Sequence, residues 1–301
     1  MSAPVRVSAE VGEALARRGP VVCLETTLVA HGFPAGEGFG VGASSEAAVR
    51  EAGATPATVG ILDGVLVVGL SEAELRRFGD AGSAARKVGA RDLAACCVQG
   101  ALGATTVGGT LAAVRSLDIE VMATGGLGGV HREFPSPPDI SSDLGELARS
   151  RVAIVSCGVK SLLDVPATSE LLETLGIPVL GYRTDTLPLF YAAAGGPPVS
   201  ARVESAAEAA AVARAHWQLG SLGAVALTRP PEPSLDDVEP LIEEALAEAG
   251  KRGVRGPAIT PFVLARLHER SDGRTLRANR DLIVGNAALA GELAVALAAT
   301  T

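Results

Sequence analysis

Short apolar runs alternate with longer amphipathic stretches along almost the whole chain. Ser8 is placed to cap a helix through Arg18, which Gly19-Pro20 would end. Val21-Val22-Cys23-Leu24 then predicts a short buried strand with Glu25 at its C-terminal end. Gly32, Gly36, Gly38, Gly40 and Gly42 predict a flexible loop over a site, followed by a helix over 45–52. The runs 59–62 and 65–68 flank Asp63-Gly64, the signature of a hairpin with a type I′ turn. Ser71-Glu72-Ala73-Glu74 is a capping box opening a helix that stops before Gly79.

From Lys87 onward the periods alternate between strand and helix. Helices are expected over 92–101, 110–117, 142–149 and 161–175, and strands over 121–123, 152–156 and 179–182. A long helix over 201–218 and a strand over 224–227 precede the stiff connector Pro230-Pro231-Glu232-Pro233. Helices over 235–249, from Thr260-Pro261 to Arg270, and over 275–298 complete the chain. This βαβα rhythm predicts a three-layer α/β/α fold with a mostly parallel mixed central sheet. Residues 1–301 read as a single domain, without a composition break or an internal repeat.

Composition narrows the function. The chain is 48% hydrophobic but only 3% aromatic, so its core is built from Ala, Val, Leu and Ile. A net charge of −8 argues against a nucleic-acid polymer or an anionic membrane surface as partner. Cys23, Cys96, Cys97 and Cys157 sit in apolar runs without metal-type spacing, as reduced core cysteines do. The first 18 residues lack the apolar segment of a signal peptide, and no apolar run predicts a membrane span. A cytoplasmic, soluble protein is expected, and a nucleotide, if one binds, would be a small free one held in a local pocket.

Of 26 basic residues only Lys87, Lys160 and Lys251 are lysines. Lys160 follows the apolar run Val152-Ala153-Ile154-Val155 and the small residues Ser156-Cys157-Gly158, just before an expected helix. A helix N-terminus disfavours a cation and would help hold the amine neutral, ready to attack an aldehyde. The bland alternative is a surface lysine. Glu25 at its strand end suits a general acid or base, or a cap or buried ion pair, and His31 nearby suits either a structural or a site role. Gly125-Gly126-Leu127-Gly128-Gly129 with His131-Arg132 could cradle a phosphate or form a tight packing turn. Asp139-Ile140-Ser141-Ser142-Asp143 offers carboxylates and hydroxyls for a water-rich Mg²⁺ or Mn²⁺ site, or for helix caps. Lys87 lies in a basic loop suited to phosphate or merely solvated, and Asn286 needs a partner for its amide within the last helix.

Taken in order, these segments resemble the pseudouridine-5′-phosphate glycosidases, the family that includes indigoidine-synthesis A-type proteins. The resemblance rests on Leu24-Glu25-Thr26-Thr27 with Ala30-His31-Gly32, Arg86-Lys87-Val88 with Arg91-Asp92, and Gly103-Ala104-Thr105-Thr106-Val107. It continues through Ala123-Thr124-Gly125 to His131-Arg132, Asp139 to Leu144, Gly158-Val159-Lys160-Ser161 with Asp164, Thr260-Pro261-Phe262, and Asn286-Ala287. It implies reversible cleavage of the C–C glycosidic bond of pseudouridine 5′-phosphate to uracil and ribose 5-phosphate, with Mn²⁺ or Mg²⁺. Lys160 matches the nucleophile that forms an imine at C1′, Glu25 the proton donor and Asp139 the metal ligand. Lys87, Val107, Ser141, Ser142 and Asp143 match substrate-binding positions, with His131, Arg132 and Asn286 as lining residues. A homotrimer is implied as well. The chain departs from the family pattern at Pro34-Ala35-Gly36-Glu37 and Val88-Gly89-Ala90, which bears on substrate contacts. The competing expectations are a Schiff-base lyase or aldolase acting on another sugar phosphate, and a non-catalytic nucleotide-binding module.

Overall fold

The computed structural model of the chain describes residues 5–34, 36–136, 138–255 and 258–299. In chain order the strands are β1 (Val5–Val7), β2 (Val21–Glu25), β3 (Thr55–Leu62), β4 (Val65–Val68), β5 (Arg86–Val88), β6 (Gly103–Thr105), β7 (Val121–Ala123), β8 (Val130–His131), β9 (Ala153–Ser156), β10 (Leu163–Asp164), β11 (Val179–Tyr182), β12 (Ala201–Val203) and β13 (Val225–Thr228). The helices are α1 (Ala9–Ala16), α2 (Thr27–His31), α3 (Gly38–Glu51), α4 (Glu72–Ala81), α5 (Leu93–Val98), α6 (Val107–Val114), α7 (Asp143–Leu147), α8 (Val165–Thr174), α9 (Ala206–Gln218), α10 (Glu239–Lys251), α11 (Ile259–Arg270) and α12 (Arg274–Ala298).

Eleven strands form one sheet in the order β1-β4-β3-β2-β7-β9-β13-β11-β12, with β6 hydrogen-bonded to β3 and β5 to β6. β8 and β10 form a small separate ribbon. Among the described residues only β3–β4 and β3–β6 within the large sheet are antiparallel, so the sheet is mixed but mostly parallel. Alternation along the strands feeds two cores. Val21 and Cys23 of β2 pack with α1, α6 and α7, whereas Val22 and Leu24 pack with α3, α9 and α12. That division makes the three-layer α/β/α architecture.

One register change positions the site. β3 pairs with β2 up to Glu25↔Val59, then takes β6 as its neighbour from Gly60↔Ala104. The Val59 carbonyl at this handover accepts hydrogen bonds from both Thr26 Oγ1 and Thr105 Oγ1, each at 2.8 Å. The end of β2 is therefore pinned where the sheet opens beside it, at the edge where parallel sheets bind ligands.

Several sequence expectations are corrected. The glycine-rich segment is not a loop throughout, because Gly38, Gly40 and Gly42 lie in α3. A Cβ on Gly38 would fall 1.9 Å from the Val29 carbonyl oxygen, so this glycine serves the contact of α3 with α2. α4 runs past Gly79, where the missing side chain admits Phe39 of α3. Lys87 lies on β5 rather than in a loop. No helix begins at Lys160: β10 intervenes, and Asp164 caps α8 through the Ala167 N–H at 2.9 Å. The expected long helix over 201–218 divides into β12 and α9, because Ser205 caps the latter through the Glu208 N–H. Thr260-Pro261 falls within the first turn of α11 rather than at its cap. α12 is long and apolar enough to cross a membrane by length and composition, but packs on the sheet between α3 and α9 with Leu282, Leu289, Ala290 and Leu293 buried.

Candidate active site

A cavity of about 370 Å³ opens at the β2 end of the sheet. Glu25, Lys87 and Lys160, which lie far apart in sequence, share its wall with Gly125, Gly126, His31 and Phe190. Each arrives by its own element. Glu25 is the last residue of β2 and Lys87 the middle residue of β5. Lys160 follows β9 on a segment that continues parallel pairing past the strand: Leu127 N–H donates to Gly158 O at 2.9 Å, and Lys160 N–H to Leu127 O at 3.1 Å. Gly158 adopts φ 76° there, and a Cβ would meet the Pro188 oxygen at 1.9 Å. This turn requires glycine.

The electrostatics follow from burial. Desolvation pushes the Glu25 carboxyl above its ordinary range, opposed by the Lys160 charge, a 2.5 Å hydrogen bond from Thr124 Oγ1 and the Lys87 charge, and helped by Asp143. Burial lowers the Lys87 ammonium, and the Lys160 charge lowers it further against Asp143 and Glu25. His31 is held low by burial; its Nε2 bonds the Ala85 carbonyl at 3.0 Å, while Nδ1 is buried with no partner among the described residues. Because a carbonyl only accepts, the proton sits on Nε2 and the imidazole is neutral.

The remaining candidates surround this cavity rather than line it. Each glycine of the 125–129 segment is packed by a neighbour: Gly125 by Ile283, Gly126 by Phe190, Gly128 by Ser141 and Asp143, Gly129 by Thr168. Only Gly125 and Gly126 face the cavity. Ser141 stacks on this segment, its N–H donating to Gly129 O at 2.9 Å, and Ser142 lies beside Gly89. Asp143 caps a helix, but not its own: its Oδ1 accepts the Gly108 N–H at 2.8 Å in the first turn of α6. The Val107 side chain is in the core. Arg132 spends its guanidinium on the segment after Lys160, donating to Ser161 O at 2.6 Å and Leu163 O at 3.3 Å, and pairs with Glu239. Asn286 is fully buried and absent from the cavity wall; its Nδ2 donates to Thr124 O at 2.7 Å and Gly125 O at 3.2 Å, and its Oδ1 accepts from Cys157 Sγ.

Asp139 lies beside His131, with Oδ2 3.9 Å from Nδ1. Burial holds the imidazole below its usual range against the pull of Asp139. Among the described residues no three His, Cys, Asp or Glu side chains form a metal cluster. Asp139 offers one carboxylate there, the single protein donor that a cation held mainly by waters and ligand oxygens would use.

Asn279 was not singled out from the sequence. It is 2% exposed, lines the cavity and leaves Oδ1 without a partner among the described residues. Its signal was available: it lies seven residues, two helical turns, before Asn286 on the buried face of α12.

The family model of the indigoidine synthase A like proteins matches residues 10–296. The chain belongs to this family. Among its relatives, the pseudouridine-5′-phosphate glycosidase of Myxococcus xanthus (strain DK1622) is 45% identical over 298 residues, covering 98% of each chain. That of Caldanaerobacter subterraneus subsp. tengcongensis is 42% identical over 97% of this chain and 96% of the relative. Two solved structures share the fold of this indigoidine synthase A-like chain. The prealnumycin C-glycosynthase AlnA in complex with ribulose 5-phosphate superposes with a TM-score of 0.89 at 41% identity, covering 100% of this chain and 99% of that one. An indigoidine synthase A-like protein of Thermotoga maritima gives 0.87 at 38% identity, covering 98% and 97%.

Proposed function

We propose that the chain is a pseudouridine-5′-phosphate glycosidase that uses Lys160 as a covalent nucleophile and Glu25 as the proton donor. The observation that carries this reading is that Glu25, with its carboxyl pushed up by burial, and Lys160 face one cavity. A C–C glycosidic bond offers no leaving oxygen to protonate, so an ordinary pair of carboxylates does not suffice. The Lys160 amine attacks C1′, the C1′–O4′ bond breaks and O4′ takes a proton, which opens the ribose ring. Glu25 protonates the uracil carbon bonded to C1′. That C–C bond then cleaves as the nitrogen lone pair forms the C1′ imine. Water hydrolyses the imine, releasing ribose 5-phosphate and the free lysine.

Lys87 supplies positive charge for the phosphate, and Asn279 Oδ1, without a partner among the described residues, supplies a polar contact for the base. Asp139, with His131 beside it, would hold Mn²⁺ or Mg²⁺, whose bound form supplies charge neutralisation at the phosphate end. Assembly as a trimer in the cytoplasm belongs to the same reading; light scattering that reports a monomer would remove the trimer. The deciding assay incubates the protein with uracil, ribose 5-phosphate and Mn²⁺. Pseudouridine 5′-phosphate should form, and its absence from folded protein would overturn the reading. A borohydride-trapped sugar adduct without that product would point instead to a Schiff-base lyase or aldolase.

A further inference from the structure

Glu25 is clamped from behind. Thr124 Oγ1 donates to Glu25 Oε1 at 2.5 Å and has no other hydrogen-bond partner among the described residues. Both flanking peptide groups of Thr124 are tied. Its N–H donates to Val155 O at 3.0 Å, and its carbonyl accepts Asn286 Nδ2 at 2.7 Å. A threonine is stiff at χ1, so a pinned backbone also aims the hydroxyl. Asn286 reaches the adjoining strand end as well, through Cys157 Sγ at 3.3 Å, and the Cys157 N–H donates to Gly125 O at 3.0 Å. One buried amide thus ties together the exits of β7 and β9, the first carrying Thr124 and the second leading to Lys160.

We infer that Asn286 and Thr124 are positioning residues that orient the Glu25 carboxyl, with Asn286 acting through Thr124. Because the hydroxyl occupies Oε1 as a donor, the transferable proton is confined to Oε2. The inference rests on the glycosidase reading and assigns Asn286 a role other than substrate contact. The charged groups acting on Glu25 are Lys160 after β9, Lys87 on β5 and Asp143 at the start of α7, none of which these substitutions remove.

The test is the pH profile of kcat for Thr124→Val, Thr124→Ser, Asn286→Leu and the Thr124→Val/Asn286→Leu pair. A donor to the carboxylate favours its ionised form, so Thr124→Val should move the Glu25-governed limb to higher pH. It should also lower kcat roughly tenfold or more with little change in KM. Thr124→Ser should restore both, and Asn286→Leu should shift the limb the same way alone but add nothing to Thr124→Val. A raised KM with an unmoved limb would show that Thr124 contacts substrate and overturn the inference, as would additive effects of the two substitutions. Infrared titration of the Glu25 carboxyl, assigned with Glu25→Gln, reads the same shift without turnover. A wild-type protein that makes no product while Thr124→Val still shifts that band sinks the glycosidase reading and keeps the relay. If Thr124→Val does not fold, an Asn286→Leu protein with an unshifted band overturns the relay.

Discussion

At the scale of single residues, two half-buried lysines compete for the covalent role. Lys87 has its ammonium lowered by burial and by the Lys160 charge, so its amine is a competitor to Lys160 for the imine. Position separates them. Lys160 sits past the end of a central strand beside Gly126, whereas Lys87 lies on the short strand β5. Borohydride reduction in the presence of ribose 5-phosphate should therefore leave the sugar on Lys160, as peptide mass mapping will show. Lys160→Ala should lose roughly 10³-fold or more in turnover, the scale of removing a covalent nucleophile. Lys87→Ala should raise KM and still form the adduct; an adduct on Lys87 would exchange the two roles. The sequence singled out Lys160 for an incomplete reason. The apolar strand before it and its rarity in an arginine-rich chain were legible, but the helix field invoked for it is absent, because Leu163–Asp164 forms a strand first. Asn279 shares the buried face of α12 with Asn286, a spacing legible in the sequence, but only the cavity on its open side separates it from the other polar residues of that helix.

At the scale of elements, what the sequence revealed depended on length and capping. The hairpin turn is as expected, with Asp63 and Gly64 both at positive φ, and the Ser71–Glu74 capping box is formed. β5, β6, β8, β10 and β12 are two or three residues long, too short for any period, and exist because neighbouring strands supply their hydrogen bonds. The glycines of α3 depart from the expected loop for a different reason. Glycine signals mobility or close approach equally well in sequence, and only the neighbouring Val29 decides. This distinction is measurable. Gly38→Ala should destabilise by about 1–3 kcal/mol, since a Cβ collides with backbone that cannot rotate away. Gly40→Ala meets nothing within 4 Å and should stabilise by about 0.5–1 kcal/mol through helix propensity. Chemical denaturation of the two variants reads the contrast; equal stabilities accompanied by changed substrate affinity would restore the mobile-loop interpretation.

At the scale of the whole molecule, the same covered parallel sheet that makes the core places Glu25 where a charge is poorly solvated. Strands β3 and β7 flank β2, and helices lie on both faces, so a carboxyl at its end is 4% exposed. A function-bearing acid therefore works against stability, and pH exposes the conflict. Burial raises the folded-state pKa of Glu25 above its unfolded value. Its contribution is then most favourable at low pH, where it is protonated in both states, and is lost as pH rises through the folded pKa. Glu46 is raised in the same way by burial, so the wild-type curve alone does not isolate Glu25. A difference between two proteins does. Glu25→Gln keeps the shape and the acceptor for Thr124 Oγ1 but cannot ionise. Its Tm should match that of the wild type in acid and exceed it increasingly toward neutral pH, while turnover falls roughly 10²–10⁴-fold through loss of the proton donor. A Tm difference that stays constant across pH would mean that Glu25 ionises as easily in the fold as out of it, and the acid would have to be sought elsewhere on the cavity wall.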